Sequence, residues 1–154
     1  MAIYRASAAA KAGVNAANTV MWQLTTSSTA RLRIKEIIWT VSTAPTTAPQ
    51  IVVARPATLG TSSATQTPQL NDPAEPASTA VFQTAWTVAP TYTTAGPFLL
   101  TATLPTTAGS TFYWVSPSPD QDIIVPVSSG IQFIQHSASG ATVGAHSLTV
   151  AWQE

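Results

Sequence analysis

Alternation of apolar and polar residues with a period of two recurs from residue 18 to residue 154, and it constrains the fold more than any other feature. Such alternation is typical of β-strands with one buried face, whereas amphipathic helices repeat every 3.6 residues. No helical repeat is evident over this range. Clusters rich in Pro, Gly, Ser and Thr separate the alternating segments. We therefore expect an antiparallel all-β fold of roughly eight to ten short strands.

One of these segments changes phase. Leu32 and Ile34 are apolar, but the apolar residues that follow are Ile37 and Trp39. One extra residue moves the buried face of a strand by one position, so we predict a β-bulge around residues 35–37. The expected strands lie near residues 20–24, 31–41, 51–55, 80–88, 98–104, 112–114, 123–125, 131–133 and 148–152.

The connection from Pro56 to Ser78 is long and contains Pro68, Pro73 and Pro76. Each proline removes a hydrogen-bond donor from a β-ladder, so we expect an ordered loop here and no strand. Two paired sheets with one long internal loop favour a jelly-roll-like β-sandwich over an up-and-down barrel. We expect one sandwich domain over residues 18–154.

Residues 1–17 are expected to form an extended N-terminal arm. Residues 2–6 could make a short strand, and residues 7–13 are rich in alanine, although a helix this short is marginal in water. The arm either joins the sheet of its own chain or contacts a neighbouring subunit. In the second case Ile3, Tyr4 and Arg5 are candidate assembly contacts.

Composition excludes several functions. Charged residues make up 8% of the chain, the net charge is zero, and cysteine is absent, while Thr and Ser number 25 and 15. A neutral chain lacks the basic surface that binds nucleic acid or anionic lipid. No apolar run approaches the roughly 20 residues of a membrane helix, and residues 1–5 do not resemble a signal peptide. A surface with so little charge is poorly protected against self-association, which suits a component of an assembly.

The sequence offers little catalytic chemistry. His136 and His146 are each followed by serine, but adjacent strand residues point to opposite faces, and no Gly-x-Ser-x-Gly turn is present. Asp120 and Asp122 could share a face and ligate calcium, or they could form the polar start of a strand. The further ligands that calcium needs are not identifiable. We expect no enzyme, no cofactor and no metal site.

Arg31, Arg33 and Lys35 form the one charge cluster. Alternate strand residues lie within about 7 Å of each other on one face, which is repulsive unless water or acids intervene. The cluster is therefore either a solvated sheet face or a contact with an acidic neighbour in an assembly.

The five tryptophans each lie within an apolar alternating set, which predicts a role in the core: Trp22, Trp39, Trp86, Trp114 and Trp152. Phe82, Trp86 and Val88 are expected to share one face of their strand. An alternative function is open for Trp86, which with Tyr92 could form a stacking platform for a glycan.

Several short segments together resemble small virion structural proteins of tailed bacteriophages, of the capsid decoration or cement type. These segments are Arg33–Ile37, Ile51–Pro56, Asn71–Ala77, Gly130–Phe133 and Val150–Glu154. The resemblance spans most of the chain in the order of its elements. It implies a jelly-roll β-sandwich that forms homotrimers and has no catalytic residues to carry over.

The sequence therefore predicts a structural virion protein of a bacteriophage, a capsid decoration protein that oligomerises and binds the head shell. Its expected partners are copies of itself and the major capsid protein or another virion protein, with no nucleic acid and no membrane. The alternatives are a tail or head-fibre component, or a carbohydrate-binding receptor knob on the same sandwich that uses Trp86 and Tyr92.

Overall fold

The computed structural model describes residues 2–13, 17–136 and 144–154, and these residues form an all-β fold. The one helical element among them is a short 3-10 turn at Pro119–Gln121. One of the Ser- and Gly-containing clusters that separate the alternating segments, residues 137–140, lies outside the described residues. The strands are β1 (Ile3–Lys11), β2 (Thr19–Thr25), β3 (Leu32–Val41), β4 (Gln50–Ala54), β5 (Pro56–Thr58), β6 (Thr61–Gln66), β7 (Gln69–Leu70), β8 (Val81–Val88), β9 (Thr91–Tyr92), β10 (Leu100–Thr103), β11 (Ser110–Val115), β12 (Ile123–Val125), β13 (Gly130–Gln135) and β14 (His146–Gln153).

Two six-stranded antiparallel sheets make a sandwich, as the alternation predicted. Sheet A has the order β11-β3-β14-β1-β7, with β12 also pairing with β3, and sheet B has the order β10-β4-β13-β2-β8-β6. Trp22, Trp39 and Phe133 meet between the sheets in edge-to-face contacts, with ring centroids 5.2 and 6.4 Å apart. The inward residues of both sheets therefore form one apolar core.

The N-terminal segment is a strand of its own chain's sheet. β1 pairs with β14 on one side, where Ile3 lies opposite Gln153, and with β7 on the other. Tyr4, Ala6 and Ala8 point into the core, while the residues between them are exposed. The alanine-rich stretch thus extends the strand, because alternate alanines fit beneath the edge of the sandwich. The sequence left two arrangements open for the arm, and in the structure the arm joins the sheet of its own chain.

The predicted β-bulge is present in β3. Ala151 pairs with Glu36 and the next residue of β14, Trp152, pairs with Ile34, so Lys35 is the extra residue. The buried face of β3 changes phase there, and both Ile34 and Ile37 are fully buried.

The expectation of a loop without strands from residue 56 to residue 78 is wrong, because β5, β6 and β7 lie within it. β6 contains no proline and pairs with β8 at the edge of sheet B. Pro56 starts β5, while Pro68, Pro73 and Pro76 lie outside the strands. The prolines therefore delimit the strands of this segment and do not prevent them.

The segment around β5 and β9, which pair with each other, covers part of the outer face of sheet B. It buries a second, smaller apolar cluster: Val20, Val52, Ala54, Tyr92 and Ile134. Because this patch of sheet B has a third layer, its outward residues are apolar as well as its inward ones.

The expectation that Phe82, Trp86 and Val88 share a face is also wrong. Phe82 is fully buried in the main core, Trp86 packs against the second cluster, and Val88 is exposed. The reason is a bulge in β8: between two neighbouring pairs with β6 the register advances by one residue on β6 but by two on β8, so Thr84 is the extra residue. Between Thr84 and a second step of the same kind at Thr87 the alternation of β8 is reversed, so Trp86 lies on the opposite face from Phe82.

Candidate functional site

The predicted charge cluster has its acid within the same chain. The Lys35 ammonium donates to Asp122 Oδ2 at 2.6 Å, and Arg33 Nη1 lies 3.5 Å from the same oxygen. The Asp122 side chain is fully buried, whereas Arg31 is exposed and takes no part. Arg33 and Lys35 are alternate residues of β3 and therefore lie on the same side of the strand, next to the segment that leads into β12 and contains Asp122. The sequence left water or an acid open as the partner of these charges, and in the structure Arg33 and Lys35 pair with Asp122.

The charges around Asp122 control its ionisation. Burial alone would raise the pKa of the carboxyl, but the hydrogen bond and charge of Lys35, with a contribution from Arg33, hold the pKa below its usual range. Asp122 thus remains charged and ties the 3-10 turn before β12 to β3. Asp122 therefore lies at the polar start of a strand, which is one of the two interpretations that the sequence left open.

We expect Asp122→Asn to lower the free energy of unfolding by about 2 kcal/mol, because it leaves the half-buried Lys35 without its anion. Denaturant unfolding at neutral pH measures the change. The matched control is Asp120→Asn, on an exposed carboxyl two residues away, which should change stability by less than about 0.5 kcal/mol. Equal effects of the two substitutions would contradict a structural role for the Asp122 pairing.

The three candidate assembly contacts in β1 have different surroundings. Arg5 Nη2 donates to Glu36 Oε2 at 2.7 Å, and Tyr4 is buried, with its ring stacked on Trp152 and its hydroxyl donating to Pro76 O at 2.8 Å. Ile3 is 40% exposed. The buried Tyr4 ring is therefore part of the core, and Ile3 is the large apolar side chain that β1 presents to solvent.

One side of the sandwich is open. The edge strands β10 and β11 end the two sheets on this side, each paired on one edge only among the described residues, and the short β12 continues the edge of sheet A beside β11. Their inward residues Phe112 and Trp114 are only partly buried, and the outward residues Tyr113 and Val115 of β11 are 62% and 47% exposed. Neither strand contains a charged residue. We call the surface formed by β10 and β11 the open side.

Tyr92, one of the two predicted stacking residues, is buried in the second cluster. Its hydroxyl donates to Asn18 Oδ1 at 2.8 Å, so His136 Nδ1, 2.7 Å away, is left to donate to the Tyr92 oxygen. Burial also raises the pKa of Tyr92 to about 12. Tyr92 therefore offers no ring face to a ligand, and the prediction of Tyr92 as a stacking platform is wrong.

Trp86, the second predicted stacking residue, lines a surface cleft of about 400 Å³. Lys11, Asn18 and Thr19 contribute polar groups to the same cleft. Lys11 and Asn18 were not singled out in the sequence, where they appear as isolated polar residues in the N-terminal arm and at a turn. We call this the Lys11 cleft.

Among residues 2–13, 17–136 and 144–154 no group of three or more His, Cys, Asp or Glu side chains could hold a metal ion. Over the same residues no helix has the length and apolar character to span a membrane. Comparison with known proteins finds no matching family model, no similar curated protein and no similar solved structure.

Proposed function

We propose that this chain is a structural virion protein of a bacteriophage, a capsid decoration or cement protein that forms homotrimers and binds the head shell through the major capsid protein. The observation that supports this best is the open side, an uncharged sandwich edge with exposed apolar side chains. Such edges pair readily with another chain, and proteins that remain monomeric normally protect them with charge or proline.

The order in which the strands pair supports a jelly roll. Leaving out the strands inserted between β4 and β10 and the short β12, the principal strands in chain order are β1, β2, β3, β4, β10, β11, β13 and β14. The first pairs with the last, the second with the seventh, the third with the sixth and the fourth with the fifth. A long antiparallel hairpin rolled into two sheets has this pairing. It is the architecture implied by the resemblance to small phage virion proteins.

The open side has the chemistry of a protein–protein interface. Interface cores are enriched in aromatic residues and depleted of charge, and β11 supplies Phe112, Tyr113 and Trp114 in succession. Its outer edge also leaves main-chain donors and acceptors that a further strand could pair with. A second copy of the chain brings an equally neutral surface, so its approach meets no charge repulsion.

Self-association through the open side is tested with Val115→Lys. We expect the native chain to run at three times its 16.0 kDa mass in size-exclusion chromatography with light scattering. The variant places a charge within the interface and should weaken association by about ten-fold or more. Val81→Lys, at a similarly exposed valine in β8, is the control and should leave association unchanged. A monomeric native protein, or equal effects of the two variants, would refute the assignment of the interface.

The oligomer should tolerate salt, because its proposed interface contains no charge. Raising the NaCl concentration from about 0.05 to about 1 M shortens the Debye length from above 10 Å to about 3 Å and should leave the oligomer mass unchanged. Dissociation at high salt would assign the interface to the charged residues of sheet A instead of the open side.

The position in the particle is tested by cryo-electron microscopy of purified virions that carry the chain. A regular array of the protein on the head is the expected result. Density in the tail or in a head fibre would support the alternative location, and purified particles that lack the protein would refute the virion role.

A further inference from the structure

Lys11 differs from the other basic residues in its surroundings. Arg5, Arg33 and Lys35 pair with carboxylates, while Arg31 and Arg55 are exposed. Lys11 is half-buried, and no described carboxylate lies within ion-pair distance. Its ammonium donates to two main-chain carbonyls, Met21 O at 3.0 Å and Thr84 O at 2.9 Å, and its third N–H has no partner among the described residues. Burial lowers the pKa of Lys11. A cation held in this way lacks a counter-charge.

Both carbonyls that hold Lys11 belong to bulge residues. Met21 is the extra residue of β2 opposite β13, and Thr84 is the extra residue of β8 opposite β6. A bulge leaves main-chain groups outside the ladder, and these two carbonyls fix the position of the ammonium of Lys11, a residue that lines the cleft. The bulge at Thr84 also turns Trp86 out of the main core and into the wall of this cleft. The two bulges therefore bring the cation and the aromatic ring together.

Asn18 is held in a defined orientation on the same cleft. Its backbone is left-handed, with φ of 62°, a conformation that asparagine tolerates better than most residues. Its Oδ1 accepts from the buried Tyr92 hydroxyl, so its Nδ2 group is left as a donor without a partner among the described residues. The lining of the cleft thus includes Lys11, whose ammonium is held by two carbonyls, Asn18, whose amide is oriented by a hydrogen bond, and the aromatic residue Trp86.

We propose that the Lys11 cleft binds an acidic sugar unit of a glycan, with the sugar carboxylate at the Lys11 ammonium, a hydroxyl at the Asn18 amide and the ring against Trp86. A carboxylate supplies the missing counter-charge, and sugar rings present hydroxyls at their edge and C–H groups on their faces. The cleft volume lies within the roughly 300–1,000 Å³ of small-molecule sites. The inference goes beyond the proposed virion role and does not depend on it.

The site and the open side lie at opposite ends of the strand order. β10 and β11 end the two sheets on one side, while Lys11 is in β1 and Trp86 in β8, next to the edge strands β7 and β6 of the other side. Copies joined through the open side would leave the cleft accessible. Loss of sugar binding and loss of self-association are therefore separable results.

The test compares acidic sugars with neutral ones by NMR titration of the native oligomer. The probes are the methyl glycosides of glucuronic acid, galacturonic acid and N-acetylneuraminic acid, with methyl glucoside and methyl galactoside as neutral counterparts and sodium acetate as the free carboxylate. At least one acidic sugar should shift the amide signals of residues 11, 18 and 86 and bind about ten-fold or more tightly than the neutral sugars and acetate. Equal binding of neutral sugars or acetate would overturn the proposal, and so would no binding by any of the three.

Two variants locate the site. Lys11→Gln removes the cation and should reduce the affinity for the acidic sugar to that for the neutral one, whereas Arg31→Gln, which removes an exposed cation elsewhere, should have no effect. Asn18→Asp keeps the oxygen that accepts from Tyr92 but adds a negative charge to the cleft. It should abolish binding of the acidic sugar while preserving the fold, and so it replaces Lys11→Gln if that variant does not fold. A folded Asn18→Asp variant with undiminished binding would overturn the proposal.

Discussion

Removal of residues 148–154 is expected to abolish cooperative folding. These residues form most of β14, the strand that lies between β3 and β1 in sheet A. Leu148, Val150 and Trp152 point into the core, and each is at most 1% exposed. Without β14 the N-terminal strand loses its main partner and β3 loses all the pairing along one of its two edges. The truncated chain should be insoluble, or should show no unfolding transition by circular dichroism.

Trp152→Ala tests the same point in graded form. The Trp152 ring stacks on Tyr4 at a centroid distance of 6.1 Å, and its loss from a fully buried site should lower the free energy of unfolding by about 3–5 kcal/mol. Val88→Ala, at an exposed position, should change stability by less than about 0.5 kcal/mol. A soluble truncation that unfolds cooperatively would show that β14 is dispensable and contradict its central place in sheet A.

Acid is expected to destabilise the protein through His146, starting below about pH 6.5. This imidazole is fully buried, and its Nδ1 accepts from Trp39 Nε1 at 3.0 Å, which places the proton on Nε2. Burial lowers the pKa of His146 from 6.5 to about 4. Between these values the unfolded chain takes up a proton that the folded chain does not, so the free energy of unfolding falls as the pH falls. The loss amounts to about 3 kcal/mol at pH 4 and levels off below that value.

Denaturant titrations between pH 7 and pH 4 measure this loss. His146→Gln keeps an oxygen that can accept from Trp39 but cannot take up a proton, so its stability should change much less over this range. The carboxyls of Asp122 and Glu154 also have lowered pKa values, and protonating them removes stability at lower pH, beginning near their ordinary values of 3.8 and 4.5. Parallel pH profiles of the native chain and His146→Gln would contradict the role assigned to His146.

The alternation of the sequence predicted much of the fold because most strands have one buried face. The bulge at Lys35 could be predicted since it displaces that face within a single strand. Strand β6 could not be predicted in this way, because five of its six residues are exposed, it contains no large apolar residue, and its pairing comes from β8. The bulge at Thr84 leaves no signature either, so the turning of Trp86 away from the main core depends on pairing between strands.

The site was less predictable than the fold, because its residues are distant in sequence. The cluster of Arg33 and Lys35 indicated that water or an acid lies between these charges, but the position of Asp122 there follows from the pairing of β12 with β3. Tyr92 belonged to a polar-looking segment, and its burial depends on how the β5–β9 pair covers sheet B. Lys11 is the only charged residue of an alanine-rich stretch, and the two carbonyls that hold it lie on other strands.

The pairing of β1 with β14 has a practical consequence. Ile3 lies opposite Gln153, and Glu154 N donates to Ala2 O at 3.4 Å, so the two ends of the described chain lie side by side. A peptide or domain fused at either end would leave the sandwich at the same point. Adjacent ends can also be joined by a short linker, which allows the chain to be opened at a surface turn instead. The molecule is thus a suitable scaffold for display, with two attachment points that share one location.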